Sequence, residues 1–389
     1  MTTTRWRERR AMIYLDHAAT TMIEPQVLTA MKPYMRERFG NASTYYEVGA
    51  ESRKAVEYAR KEIADSLDAD PEEIFFTSGG TESDNWALKG TMEAYKNKGR
   101  HLIVSSFEHH AIGNTCEYLK KQGYQVTYVS VDRRGKIRLD ELEHAIRPDT
   151  VMISIMCANN EIGTIQDMRE IGRIAKRNHV LFHTDAVQAY GQIPIDVKNW
   201  NISLLSASSH KFYGPKGCGF LYIKKGVRTM SMIQGGSQER GFRAGTENVP
   251  GIVGMAYAAK LSYECMDEVG KRERMLRDWL ARRLCEELPG ARAIGSMTDR
   301  LPGNLNMYFP GIEATNLVLL LDEVGICVSA GSACTSRDTT VSHVLRAIGL
   351  TDRQASSCIR ITLGRHTTFQ ELNIALQEII RLVKMLQKG

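Results

Sequence analysis

Through its first two-thirds the chain alternates short apolar and β-branched runs with longer segments of helical period, and this alternation limits the fold more than any other feature. Strand-like runs lie at Ile74–Phe76, His101–Ser105, Gln125–Val131, Val151–Met156, Val180–His183, Ser203–Ser206 and Gly219–Ile223. Helical patterns fall between them. Residues 51–67 place Val56, Ala59, Ile63 and Leu67 on one face, and further helical stretches lie at Asp140–Ile146 and Asp167–Lys176. Each crossover between parallel strands lays a helix over the sheet, so strict alternation implies a mostly parallel sheet covered on both faces. The expected class is α/β. No internal repeat of solenoid period is present. From about residue 251 the texture changes. A long helical stretch over 252–288 ends at Leu288-Pro289-Gly290, and strand-like runs at 304–309 and 326–330 precede a helical C-terminus over 371–387. This part reads as a smaller α+β unit.

With 43% hydrophobic and 25% charged residues, the 389-residue chain has an ordinary globular composition, which excludes fibrous repeats and long disordered tracts. The formal net charge of +6 hints at an acidic partner, but half of it sits in the first eleven residues, where Arg5, Arg7, Arg9 and Arg10 outnumber Glu8. That arm offers no aromatic platform beyond Trp6, so a direct nucleic-acid partner is not expected. No apolar run reaches the length of a membrane span, and Asp16 and His17 interrupt the only candidate signal core, so a cytoplasmic location is expected. None of the eight cysteines stands three residues from another, so paired-cysteine zinc or redox motifs are absent and no metal is expected.

Four stretches carry chemistry. Residues 206–217, Ser-Ala-Ser-Ser-His-Lys-Phe-Tyr-Gly-Pro-Lys-Gly, present Lys211 on a tight turn among hydroxyl and glycine donors, and such an amine can form a Schiff base. Upstream, Asp185 closes a strand-like run, where a carboxylate can pair with the protonated ring nitrogen of pyridoxal phosphate and keep the ring an electron sink. Gly79-Gly80-Thr81 opens a helical stretch, whose first N–H groups suit a phosphate. Cys334 stands in Ser329-Ala-Gly-Ser-Ala-Cys-Thr-Ser, a small-residue stretch without apolar pattern that suits a loop nucleophile, whereas Cys327 in Gly325-Ile-Cys-Val reads as core.

The sequence resembles the NifS/IscS family of cysteine desulfurases. The stretches that carry the resemblance are YLDHAATT (14–21), GGTESDNWA (79–87), FEHHA (107–111), NNEIGTIQD (159–167), HTDAVQ (183–188), SSHKFYGPKGCG (208–219), GGSQERGFRAGTENV (235–249), SAGSACTS (329–336) and IRITLGRHTT (359–368). They follow family order from residue 12 nearly to the C-terminus. The resemblance implies a fold-type I transferase: a large domain with a mostly parallel seven-stranded sheet flanked by helices, plus a smaller α+β domain. The division it suggests is a disordered extension over 1–11, a segment over 12–27 joining the small domain, a large cofactor domain over 28–258, and a small domain over 259–389 with the cysteine loop.

It also implies conversion of L-cysteine to L-alanine with pyridoxal 5′-phosphate as cofactor. Lys211 would carry the cofactor and move protons at the substrate carbons. Asp185 would meet the ring nitrogen, His109 would lie over the ring and assist acid–base steps, and Gln188 would bond the ring hydroxyl oxygen. Asn160 would sit near that oxygen and the substrate carboxylate, which Arg360 would clamp with a bidentate guanidinium. Gly80, Thr81, Ser208 and His210 would hold the phosphate. Thr246 would reach the phosphate of a neighbouring subunit, which requires a homodimer; the lesser alternative is a cap on the helix that follows. Cys334 would take the sulfur as a persulfide and pass it to an acceptor protein, an iron–sulfur scaffold or a tRNA-thiolation enzyme. The stretch Gly40–Gly49 departs from the family pattern at Tyr45 and Tyr46. A selenocysteine lyase on the same scaffold is the competing chemistry, and it would not need Cys334.

Overall fold

A computed structural model describes residues 12–331 and 341–388; the N-terminal arm and Cys334 lie outside the described residues. Twelve strands are described: β1 (Ile13–Tyr14), β2 (Ile74–Thr77), β3 (His101–Ser105), β4 (Gln125–Val129), β5 (Thr150–Ser154), β6 (Leu181–Asp185), β7 (Leu204–Ser208), β8 (Gly219–Ile223), β9 (Arg292–Ala293), β10 (Asn304–Tyr308), β11 (Ile326–Cys327) and β12 (Cys358–Thr362). Seven of them form the central sheet in the order β2-β8-β7-β6-β5-β3-β4. Its five strands β3 to β7 run parallel, while β8 is antiparallel to both β2 and β7. The expected seven-stranded, mostly parallel sheet is therefore present.

The sequence shows why this sheet is internal. β3, β5, β7 and β8 are buried at every residue, as strands covered on both faces must be; β8 reads as a continuous apolar run, while β3, β5 and β7 carry buried polar residues as well. β4 is an edge strand and is partly open to solvent, from exposed Gln125 to buried Val129. Helices Glu47–Asp65 and Met168–Arg177 supply apolar stripes, with Val56, Ala59 and Ile63 on the first and Ile171, Ile174 and Ala175 on the second. Each fully buried Ile or Leu contributes about 1.5–3 kcal/mol relative to exposure.

A second core lies around the sheet β12-β10-β9, where Leu305, Met307, Ile359 and Ile361 pack against Leu376 and Ile379 of the C-terminal helix Phe369–Leu386. β1 pairs in parallel with β11, which ties the start of the described chain to this second core; Leu15 packs there with Leu317 and Ile326. One helix, Val249–Glu287, serves both cores. Asn248 caps it by accepting from the Gly251 N–H at 3.1 Å. Its first turns put Ile252, Met255 and Ala259 into the sheet core, and its last turns put Leu276, Leu280 and Leu284 into the second. At 39 residues it is about 58 Å long. Among the described residues no helix is long and apolar enough to cross a membrane.

Candidate active site

β6 and β7 end side by side, and beyond their carboxyl ends opens a cavity of about 480 Å³. This is where open parallel sheets bind ligands, because the loops that follow the strands diverge there. Ten of the twelve expected site residues line it: Gly80, Thr81, His109, Asn160, Asp185, Gln188, Ser208, His210, Lys211 and Arg360. The other two stand apart. Cys334 lies outside the described residues, though the stretch before it, through Gly331, runs beside the cavity wall: Ser329 bridges to Arg360. Thr246 is exposed and away from the cavity; Asn248, not Thr246, caps the following helix.

Lys211 follows β7 on a short helical turn, and its Nζ donates to the carbonyls of Ala18 at 2.6 Å and Ala19 at 2.7 Å. Those carbonyls belong to the segment after β1, so stretches far apart in sequence meet at the amine. The same segment engages two more site residues. Gln188 Nε2 donates to the Ala18 carbonyl at 3.0 Å, and His210 Nδ1 lies 3.1 Å from the Thr20 hydroxyl.

Asp185 ends β6 with one carboxylate oxygen accepting from the Val187 N–H at 2.8 Å. Burial raises its pKa, against the opposing pull of that N–H and of Lys211. Beside it lies a second buried carboxylate, Asp84, whose pKa is raised by burial and by the Asp185 charge. Asp84 Oδ1 has no hydrogen-bond partner, and His183 Nε2 approaches it at 3.8 Å. The His183 ring is held between the hydroxyls of Ser154 and Ser206, and burial presses its pKa down to about 3, so it is neutral at pH 7. Two carboxylates in one dry pocket do not both ionise readily. The floor thus favours a bound cation, such as a protonated ring nitrogen, that compensates Asp185.

His109 caps the helix His110–Lys121, its Nδ1 accepting from the Ala111 N–H at 3.2 Å. That bond leaves the ring proton on Nε2. Burial, and then the charge of Lys211, press its pKa to about 4. His210 is likewise pressed to about 4 by burial.

Arg360 is buried on β12, with Nη1 donating to the Asn160 carbonyl at 3.0 Å and Nη2 to Asp16 at 2.7 Å. Asp16 was not among the residues singled out from the sequence. It stands just past β1, and the argument used for Asp185, a carboxylate closing a strand-like run, would have found it.

The cavity fits pyridoxal phosphate. Gly79 adopts φ +151°, and a Cβ on Gly80 would come within 2.5 Å of Val187 Cγ2, so the turn forms a cradle only glycines can line. Thr81, Ser208 and His210 add side-chain donors around it, Lys211 supplies the amine, and the buried carboxylates supply the counter-charge for a ring nitrogen.

Residues 13–374 match the aminotransferase class-V family. The cysteine desulfurase IscS of Methanosarcina thermophila is 50% identical over 375 residues, 96% of this chain and 93% of that protein. The cysteine desulfurase IscS of Dictyoglomus turgidum is 47% identical over 96% of this chain and 95% of its own. Among solved structures, a NifS-like protein superposes with a TM-score of 0.91 at 40% identity, covering 96% of this chain and all of that one. SspA in complex with cysteine superposes with a TM-score of 0.81 at 36% identity, covering 92% and 100%. Fold, cavity and near-full-length likeness agree: the chain belongs to the pyridoxal phosphate-dependent class-V aminotransferases and, among them, to the cysteine desulfurases.

Proposed function

We propose that the chain takes the sulfur of L-cysteine onto Cys334 as a persulfide, releases L-alanine, and hands the sulfur to an acceptor protein. The observation that carries this reading is the convergence of Lys211, Asp185 and Arg360 on one cavity, with the stretch leading to Cys334 bridged to Arg360 through Ser329. The solved relative that holds cysteine supports the substrate.

When bound, pyridoxal phosphate supplies an electron sink for charge developing at the substrate α-carbon. The chain's residues do the rest. Arg360 holds the α-carboxylate, already oriented by Asp16 and the Asn160 carbonyl. Asp185 keeps the ring nitrogen protonated. The Lys211 amine removes the α-proton and returns protons to carbon. His109 brings an Nε2–H to the cavity and stays neutral across the working range, so it can donate a hydrogen bond without adding a charge. The Cys334 thiolate attacks the substrate sulfur, the S–S bond forms as the C–S bond breaks, and the electron pair left on carbon takes a proton as alanine departs. The persulfide sulfur then passes to an iron–sulfur scaffold or a tRNA-thiolation enzyme.

The working unit is a homodimer in which Thr246 reaches the partner's phosphate subsite; its exposure outside its own cavity supports this. The large domain spans 28–258 and the small domain 259–389, with 12–27 joining the small one. The pairing of β1 with β11 supports that division.

Incubation with L-cysteine and a thiol reductant, with alanine and sulfide both measured, tests the reading. Equimolar products are expected from the wild type, and near-complete loss of both from Cys334→Ala. Undiminished sulfide release without Cys334 would overturn the persulfide step and favour a lyase of the selenocysteine type.

A further inference from the structure

Glu82 is an anomaly in a cavity meant for a phosphate. Its side chain lines the cavity one residue past Thr81, where a bare carboxylate would repel an anion. It is not bare. Arg243 donates to both its oxygens, Nε to Oε1 at 2.9 Å and Nη2 to Oε2 at 3.2 Å. The Ser78 N–H, at the head of the glycine turn, donates to Oε2 at 2.9 Å. Burial works against the charge on Glu82, but these hydrogen bonds outweigh it and hold the carboxyl below its usual range. One carboxylate therefore fixes the turn on one side and a guanidinium on the other.

The segment that brings Arg243 there is itself held in an unfavourable shape. Glu239 and Arg240, neither of them glycine, take φ +45° and +58°. What holds them is a buried pair. The Glu239 carboxylate accepts from Arg60 Nη1 at 2.8 Å, Arg60 Nη2 at 2.9 Å and the Phe76 N–H at 2.9 Å. Phe76 lies on β2, the strand that runs into the glycine turn. Two ion pairs thus clamp one segment to the two ends of the turn, and Arg243 also donates to the Ala244 carbonyl at 3.3 Å, steering the chain toward Thr246.

We propose that Glu82 and Arg243 are positioning residues that give the cavity its preference for a phosphorylated cofactor: Glu82 sets the turn, and Arg243 cancels the charge that setting the turn introduces. This rests on the cavity being the pyridoxal phosphate site. It implies an asymmetry between the partners. Without Arg243 the carboxylate faces the phosphate unneutralised; without both, the repulsion disappears.

The test titrates apo-protein with pyridoxal phosphate and with pyridoxal, which lacks only the phosphate, following absorbance of the lysine-bound cofactor. Arg243→Met should weaken pyridoxal phosphate binding about tenfold or more while leaving pyridoxal within about threefold, as expected for a like charge met a few ångströms away. Adding Glu82→Gln to Arg243→Met should recover most of that loss. Equal loss for both ligands would overturn the proposal, since general loosening does not distinguish them. So would a double variant that binds worse than Arg243→Met alone. Failure of the wild type to bind either ligand would instead overturn the reading of the cavity beneath it.

Discussion

Arg360 enters the cavity with two nitrogens already engaged, by a carboxylate and by a backbone carbonyl. Those bonds hold the guanidinium plane, so on the proposed reading a substrate carboxylate would meet a donor pair that needs no reordering. A lysine would keep the charge and lose the plane. Arg360→Lys should raise the KM for cysteine about tenfold or more, with cofactor absorbance unchanged; steady-state kinetics beside a spectrum checks it. Residues of this kind were legible where their chemistry is unusual for a surface: a lysine among serines, an aspartate closing an apolar run. Asp84 was not. Its neighbours Glu82, Ser83 and Asn85 are polar, so the stretch reads as a solvated helix face, and only the packing of that helix against β7 and β8 buries it. The carbonyls of Ala18 and Ala19 were beyond reach for a different reason, since a backbone oxygen leaves no mark on a sequence.

Elements of the central sheet were legible almost to their ends, because strands buried on both faces are mostly apolar, the serines of β7 aside. Strand order was less accessible. β8 follows β7 as an antiparallel neighbour and then pairs with β2, and that insertion depends on contacts between residues 74–77 and 219–223. The two-residue strands β1 and β11 are too short to show a pattern. Two glycines separate structural from functional demands at this scale. A methyl group on Gly172, in the helix Met168–Arg177, would overlap the Trp200 carbonyl oxygen, so Gly172→Ala should cost about 1–3 kcal/mol of stability and leave kcat unchanged. On Gly80 the methyl would press on the stiff Val187 side chain, two residues from Asp185, so Gly80→Ala should bind pyridoxal phosphate more weakly as well as lose stability, whereas Gly172→Ala keeps its cofactor affinity. Thermal denaturation and cofactor titration together distinguish the two.

For the molecule as a whole, buried ionisable groups set how stability responds to pH. His17, His109 and His210 are pressed to about 4 and His183 to about 3 by burial, so above about pH 7 they are largely neutral in both folded and unfolded chains. Glu108 and Glu273 are raised to about 8 by burial and stay protonated in the fold at pH 7, while their unfolded counterparts are ionised. Between about pH 7 and 8 the folded state therefore holds more protons than the unfolded one, and stability should fall as pH rises, by up to about 1.4 kcal/mol per pH unit for each group. Denaturant unfolding of the apo-protein across that range should show the slope, and Glu273→Gln should flatten it. Both cores contribute, Glu108 beside the sheet and Glu273 on the long helix.

The pairing of β1 with β11 has a consequence for how the molecule is made. The first described strand waits for a partner more than three hundred residues downstream, and only once they join does the segment that meets Lys211 gain its anchor in the second core. A ribosome takes on the order of tens of seconds to cover that interval. Throughout it, Arg360, which also lines the cavity, has yet to be made. The strand made first is therefore seated last, and a chain that ends before Arg360 has no completed cavity wall.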